Sequence, residues 1–313
     1  MNVKECFLNL VKSKGGFKPL HAHFDKSNVV TPDILMQAQK ESMQDKWDTY
    51  NKIKASYTFE DIYRRAEICV HSFIKQRASV VRTFADADSI IGQLCIDALL
   101  QLKEDYKDII SIEIAIQPIQ GVSKTEDYKA FRLACSKADM VGGLPSRDPD
   151  PKEHLHILFD IAEEFSLPLD VHVDQLNSPN EKETQLLLDV KETRSLKEKV
   201  NAIHSISLAC HPESYQNIIA QRLAEENVGV IICPSAGLSM KPLKGYIAPI
   251  HNSIAPLNIL HKHNVQMALG VDNINDLYMP LVDGNMWFES RLLMEATRCY
   301  DLNLISDIAT NYV

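Results

Sequence analysis

Apolar residues fall in short, nearly unbroken blocks along the whole chain, separated by longer stretches in which apolar and charged positions recur every three to four residues. The blocks lie at 17–24, 79–85, 109–116, 138–143, 168–174, 200–205, 228–233 and 265–271. They are rich in β-branched residues and apolar at successive positions. A strand of that kind is buried on both faces, as in a parallel sheet. The stretches at 89–103, 152–165, 181–196, Glu213–Glu225, 256–263 and 286–298 have helical spacing. Strand–helix alternation predicts a parallel α/β sheet, and eight units predict a closed (β/α)8, or TIM, barrel spanning residues 1–313 as one domain.

One connection departs from the pattern. About 55 residues separate the first block from the second, with helical stretches near 42–54 and Phe59–Lys75; connections of that length are uncommon in compact domains. An insertion after a barrel strand sits on the catalytic face, so the expectation is divided evenly between a lid and an extra outer helix.

Composition narrows the partners. Hydrophobic residues make up 45% and charged residues 24%, which suits a large core. The formal charge of -9 argues against nucleic acid or an anionic membrane. Seven widely spaced cysteines without a C-x-x-C read as free thiols in a reducing compartment. The N-terminus is a poor signal peptide, and no apolar run reaches the ~18 residues of a membrane span. The expected location is cytoplasmic and the expected partner a small molecule, with a homo-oligomer left open.

The polar residues that end the apolar blocks are the candidate chemistry. His21-Ala22-His23 places two imidazoles on one side of a strand. His154-Leu155-His156 and His261-Lys262-His263 have the same spacing in helices, where i and i+2 are about 200° apart; they read as surface or helix-end residues. His172, His204 and Asp272 close the fifth, sixth and eighth blocks. In a (β/α)8 barrel these ends meet at one mouth. So many buried polar groups are costly unless they bind something.

The segment HAHFDKS resembles the H-x-H-x-D motif of cytosine deaminases and the related triazine-ring amidohydrolases. Val81-Arg82-Thr83 with Asp86, Val141-Gly142-Gly143-Leu144-Pro145, His172-Val173-Asp174, His204 and the run GVDNINDLYMPLVDGNM resemble further motifs of that family, in the same order. The resemblance covers the chain from about Gly16 onward. It implies that His21, His23, His172 and Asp272 hold one divalent ion, Fe2+ or Zn2+. His204 would contact the attacking water or the oxyanion-like centre, and Asp272 would also accept the water's proton. The implied reaction is hydrolysis of a C–N bond in a nitrogen heterocycle or cyclic amide.

Three features depart from the family. Gln175 stands where the family has the glutamate that shuttles the proton, a loss typically worth about 10²–10⁴-fold in rate; Asp174 is a candidate substitute, expected to point away. Ile119 stands where the family has a glutamine that reads the pyrimidine, between Gln117 and Gln120, and Phe84 where relatives often have histidine. Tyr278 falls where the family places an aromatic over the ring. Only twenty residues precede His21, so most of the family's flanking β-sandwich is expected to be missing. The alternative reading is a catalytically impaired relative that binds metal and a small ligand. No G-x-S-x-G or phosphate-binding glycine loop occurs.

Overall fold

The computed structural model describes residues 2–38, 43–239 and 254–313. Its strands are β1 (Ala22–His23), β2 (Val80–Asp86), β3 (Ser111–Gln117), β4 (Met140–Gly143), β5 (Leu169–Val173), β6 (Val200–His204), β7 (Val228–Ile232), β8 (Met267–Leu269) and β9 (Asp272–Asn273). Strands β2 to β8 form one parallel sheet in chain order, and β1 pairs with β9. The first apolar block closes the curled sheet into a barrel. Ser79 and Arg82 donate backbone N–H groups to the Phe17 and Pro19 carbonyls on one side; on the other, Leu20 donates to Leu269 and Val271 to His21.

The first and last staves are less regular than the apolar blocks suggest. Pro19 has no N–H to give a ladder, and Gly270 separates β8 from β9. A Cβ at Gly270 would lie 2.6 Å from His21 Cβ and 2.8 Å from Cys233 Sγ. Glycine is what lets the two staves approach here.

The barrel interior is layered. Its floor is an ionic plug: Arg82 reaches Glu113 at 3.0 Å and Asp170 at 2.9 Å, and Asn201 donates to Asp170 at 2.7 Å. Above it Leu20, Phe84, Ala115, Met140, Ile203, Ile231 and Ala268 pack together. The outer helices cover the strands' other faces. The helix Pro151–Phe165 is typical: Asp150 caps the N–H groups of Lys152 and Glu153, Pro151 pre-sets the first turn, and Ser166 ends it in the left-handed region with φ 54°. Its Leu155, Leu158, Phe159 and Ala162 are buried, each contributing roughly 1.5–3 kcal/mol where the side chain is large. Leu158→Ala would cost about 2–5 kcal/mol. Helices at Val3–Ser13 and Thr125–Cys135 were not expected.

The long insertion divides. The helix Phe59–Lys75 buries Ile62, Ala66, Val70 and Phe73 and packs against the helix Leu94–Tyr106 as an outer element. The helix Met43–Lys54 instead sits over the mouth, with Tyr50 and Lys54 fully buried. Ser42, in the expected range, lies outside the described residues. Among the described residues no disulfide joins any of the seven cysteines. Among the described residues no helix is long and apolar enough to cross a membrane.

Candidate metal centre

The ends of three staves bring one donor set together. His21 and His23 come from the first stave, His172 from β5 and Asp272 from β9, and their ligand atoms all lie within 4.8 Å of one another. Asp272 Oδ1 stands 3.1 Å from His21 Nε2 and 3.2 Å from His23 Nε2. His172 Nδ1 lies 2.9 Å from the Gly143 carbonyl. A carbonyl can only accept, so the proton sits on Nδ1 and the Nε2 lone pair faces the cluster. That Nε2 is buried without a partner, as are His21 Nδ1 and His204 Nδ1. His204 stands beside them, its ring 5.4 Å from that of His172 and 5.5 Å from that of His21.

The electrostatics suit a cation. Burial drives the His21 pKa down to about 3. Burial, and then the neighbouring imidazoles, hold His172 well below the usual range, and burial also lowers His204. Burial pushes Asp272 up, but the bonds with His21 and His23 outweigh it and hold the carboxylate well below its usual range. Neutral imidazoles and an ionised carboxylate are the protonation states that metal binding needs. Three nitrogens and one oxygen, with an orphaned buried Nε2, fit one divalent cation.

The backbone is strained here. His204, Ser205, Asp174 and Asp272 have φ of 77°, 49°, 53° and 63°. Non-glycine residues in this region cost on the order of 1–3 kcal/mol each and cluster at functional sites. The strain ends β6 at His204, one residue short of the apolar block. It also turns Asp174 outward, where its carboxylate accepts from Glu183 N at 2.6 Å, Thr184 N at 3.3 Å and Thr184 Oγ1 at 2.5 Å. Asp174 therefore caps the helix Glu183–Lys191 and is not free to replace the glutamate absent at position 175.

The other sequence candidates fall around this cluster. Gln175 follows β5, half-buried, and forms no hydrogen bond among the described residues. Phe84 packs edge-on against His21 and His172, with centroids at 4.7 and 5.0 Å. Ile119 is buried and offers its carbonyl to Arg147 Nε at 2.7 Å. Tyr278 packs against Tyr50 at 5.9 Å, and its hydroxyl has no partner. His154 corrects an expectation: it is buried, not at the surface. Its Nδ1 pairs with Asp148 at 2.5 Å, and its Nε2 accepts from Leu144 N at 3.3 Å. Neither it nor the pair at 261 and 263 joins the cluster.

A buried ionic chain beside the histidines was not foreseen. Lys26 Nζ lies 2.8 Å from Asp86, 3.7 Å from Asp25 and 3.5 Å from His23 Nδ1. Lys54, from the covering helix, pairs with Asp88 and stands 3.6 Å from Asp86. Asp25 and Lys26 follow the H-x-H pair and Asp86 directly follows an apolar block, so all three carried a signal. Lys54 carried none, because only the fold brings its helix over the mouth.

No family model matches the chain. It is 32% identical to an uncharacterized protein of Haemophilus influenzae over 78% of this chain and 89% of that one. It is 22% identical to N-isopropylammelide isopropyl amidohydrolase of a Pseudomonas species, over 87% of this chain and 65% of the hydrolase. Among solved structures it resembles 5-methylcytosine deaminase of Klebsiella pneumoniae, liganded with 5-fluorocytosine. The TM-score is 0.85 at 20% identity, covering 94% of this chain and 72% of the deaminase.

Proposed function

The chain belongs to the amidohydrolase superfamily, and on that footing we propose that it is a metal-dependent hydrolase acting on a C–N bond of a nitrogen heterocycle, by deamination or by opening a cyclic amide. The observation that carries this reading is the meeting of His21, His23, His172 and Asp272 within 4.8 Å at the barrel mouth. These four residues would hold one divalent ion, iron or zinc. Such an ion supplies Lewis acidity and lowers the pKa of a water toward ~7.

The chain's own groups do the rest. Gly143 fixes the tautomer and orientation of His172. Asp272 takes the proton from the attacking water. His204, on its strained backbone, hydrogen-bonds the oxygen that adds to the ring carbon. Phe84 and Tyr278 exclude water, and Tyr278 stacks on the substrate ring. Gln175 offers an amide that hydrogen-bonds but cannot carry a proton, so the leaving nitrogen must be protonated more slowly than by a carboxylic acid.

The test is release of ammonia or amine from a panel of amino-pyrimidines, amino-triazines and cyclic amides by zinc- or iron-loaded protein. His172→Gln serves as a control read by metal content as well as turnover. Turnover that disappears with the metal in His172→Gln supports the reading. Silence across the panel from metal-replete protein counts against it.

A further inference from the structure

Among the described residues three cations, Lys26, Lys54 and Arg147, stand at the mouth, and two of them have a carboxylate at ion-pair distance. Lys26 faces Asp86 and Asp25, and Lys54 faces Asp88 and Asp86. Arg147 is different. Its Nε donates to the Ile119 carbonyl, and its guanidinium lies 3.7 Å from the centre of the Trp47 ring, on the covering helix. Among the described residues no carboxylate comes within 4 Å of it, and its two terminal nitrogens have no hydrogen-bond acceptor. The group is half-buried; burial lowers its pKa, while Tyr278 and the carboxylates of Asp148, Asp48 and Asp86 oppose this from beyond ion-pair distance.

Two of the restraints an arginine head needs are therefore in place. The indole fixes its plane and the Ile119 carbonyl fixes its rotation, which leaves the fork of terminal N–H groups pre-organised. A guanidinium only donates, so its complement must only accept. A planar pair of acceptor oxygens carrying negative charge satisfies both nitrogens at once. The aliphatic side chain of Ile119 offers no competing polar group.

We propose that Arg147 selects the substrate by gripping a carboxylate on the heterocycle, at the edge remote from the C–N bond that is cleaved. This rests on the heterocycle-hydrolase reading and names its substrate class: an acidic ring. Because Trp47 belongs to the helix over the mouth, the fork is oriented only when that helix covers the site. An acidic substrate thereby couples covering of the mouth to its own recognition.

The experiment is calorimetric titration of the zinc-loaded full chain with two probes, uracil and uracil-6-carboxylate. It is run on the native protein, Arg147→Met and Arg147→Lys, with zinc content and unfolding midpoint measured for each. The expected result is at least tenfold tighter binding of the carboxylate, with the preference gone in Arg147→Met and partly kept in Arg147→Lys, which retains charge without the fork. Equal affinities, or no binding of the carboxylate, overturn the proposal. So does a preference that survives in Arg147→Met, because the carboxylate would then sit on the zinc. A preference lost in Arg147→Met, in a protein that turns over nothing in the panel, keeps the assignment and removes the hydrolase reading. Turnover of neutral heterocycles without a carboxylate preference does the reverse.

Discussion

Gln175→Glu should raise turnover by about 10²–10⁴-fold, the usual worth of one positioned acid–base group. That corresponds to about 3–5 kcal/mol of activation free energy. The structure is the reason to expect a gain of this size, because the carboxylates around the mouth are already committed. Asp272 Oδ1 faces both His21 and His23. Asp174 is held by Glu183 and Thr184. Asp25 and Asp86 face Lys26, and Asp276 accepts from the backbone of Tyr278 and Met279 at 2.9 Å. A carboxyl at position 175 would be half-buried and without a partner, so its pKa would lie at or above the ordinary ~4.3, within reach of a general acid at neutral pH. The assay is kcat and kcat/KM from coupled ammonia detection, with metal content measured in parallel. KM should change little, because an amide and a carboxyl have the same shape. Asp174→Asn is the control and should lower stability rather than rate. Equal turnover of native protein and Gln175→Glu, at equal metal loading, would refute the reasoning, since another group would then be moving the proton.

Three further outcomes follow from the same geometry. Lys54→Met strands Asp88 in a fully buried site and should cost about 3–5 kcal/mol in urea unfolding; adding Asp88→Asn should recover part of it, and no recovery would mean the pair does not hold the covering helix. Chelation should lower the unfolding midpoint, with free ion at a thousand times its Kd stabilising by about 4 kcal/mol, and His172→Gln should blunt the effect; an unchanged midpoint would speak against a resident ion. Burial raises the Glu289 pKa to about 7 despite its bonds with Ser235. The folded state thus favours the protonated acid, so the stabilisation is complete below about 4.5 and lost as pH rises through about 7. Glu289→Gln should flatten the stability-versus-pH curve across that window by on the order of 3 kcal/mol, and a parallel curve would contradict the assignment.

The apolar blocks and the polar residues ending them were enough, without coordinates, to indicate eight staves and a mouth lined by His21, His23, His172, His204 and Asp272. Both are local properties. Burial on two faces demands successive apolar residues, and a strand that ends at a polar site must show its polar group there. The exact limits of β1 and β8 were not legible, because Pro19 and Gly270 disrupt ladders whose partners lie some 250 residues away. His154 was misjudged for a related reason: its helix is amphipathic, but only the packing of the Asp148 loop shows that the histidine lies on the buried side.

The tertiary structure alone decided which part of the insertion covers the site and which charges meet beneath it. The two longer helices described in the insertion are both charged and amphipathic, yet one packs outside the barrel and the other carries Lys54 to Asp88 and Trp47 to Arg147. Burial, ion pairing and stacking between segments remote in sequence have no local pattern. They arise when chain closure brings together groups whose desolvation must be compensated, so they become visible only once the barrel has closed.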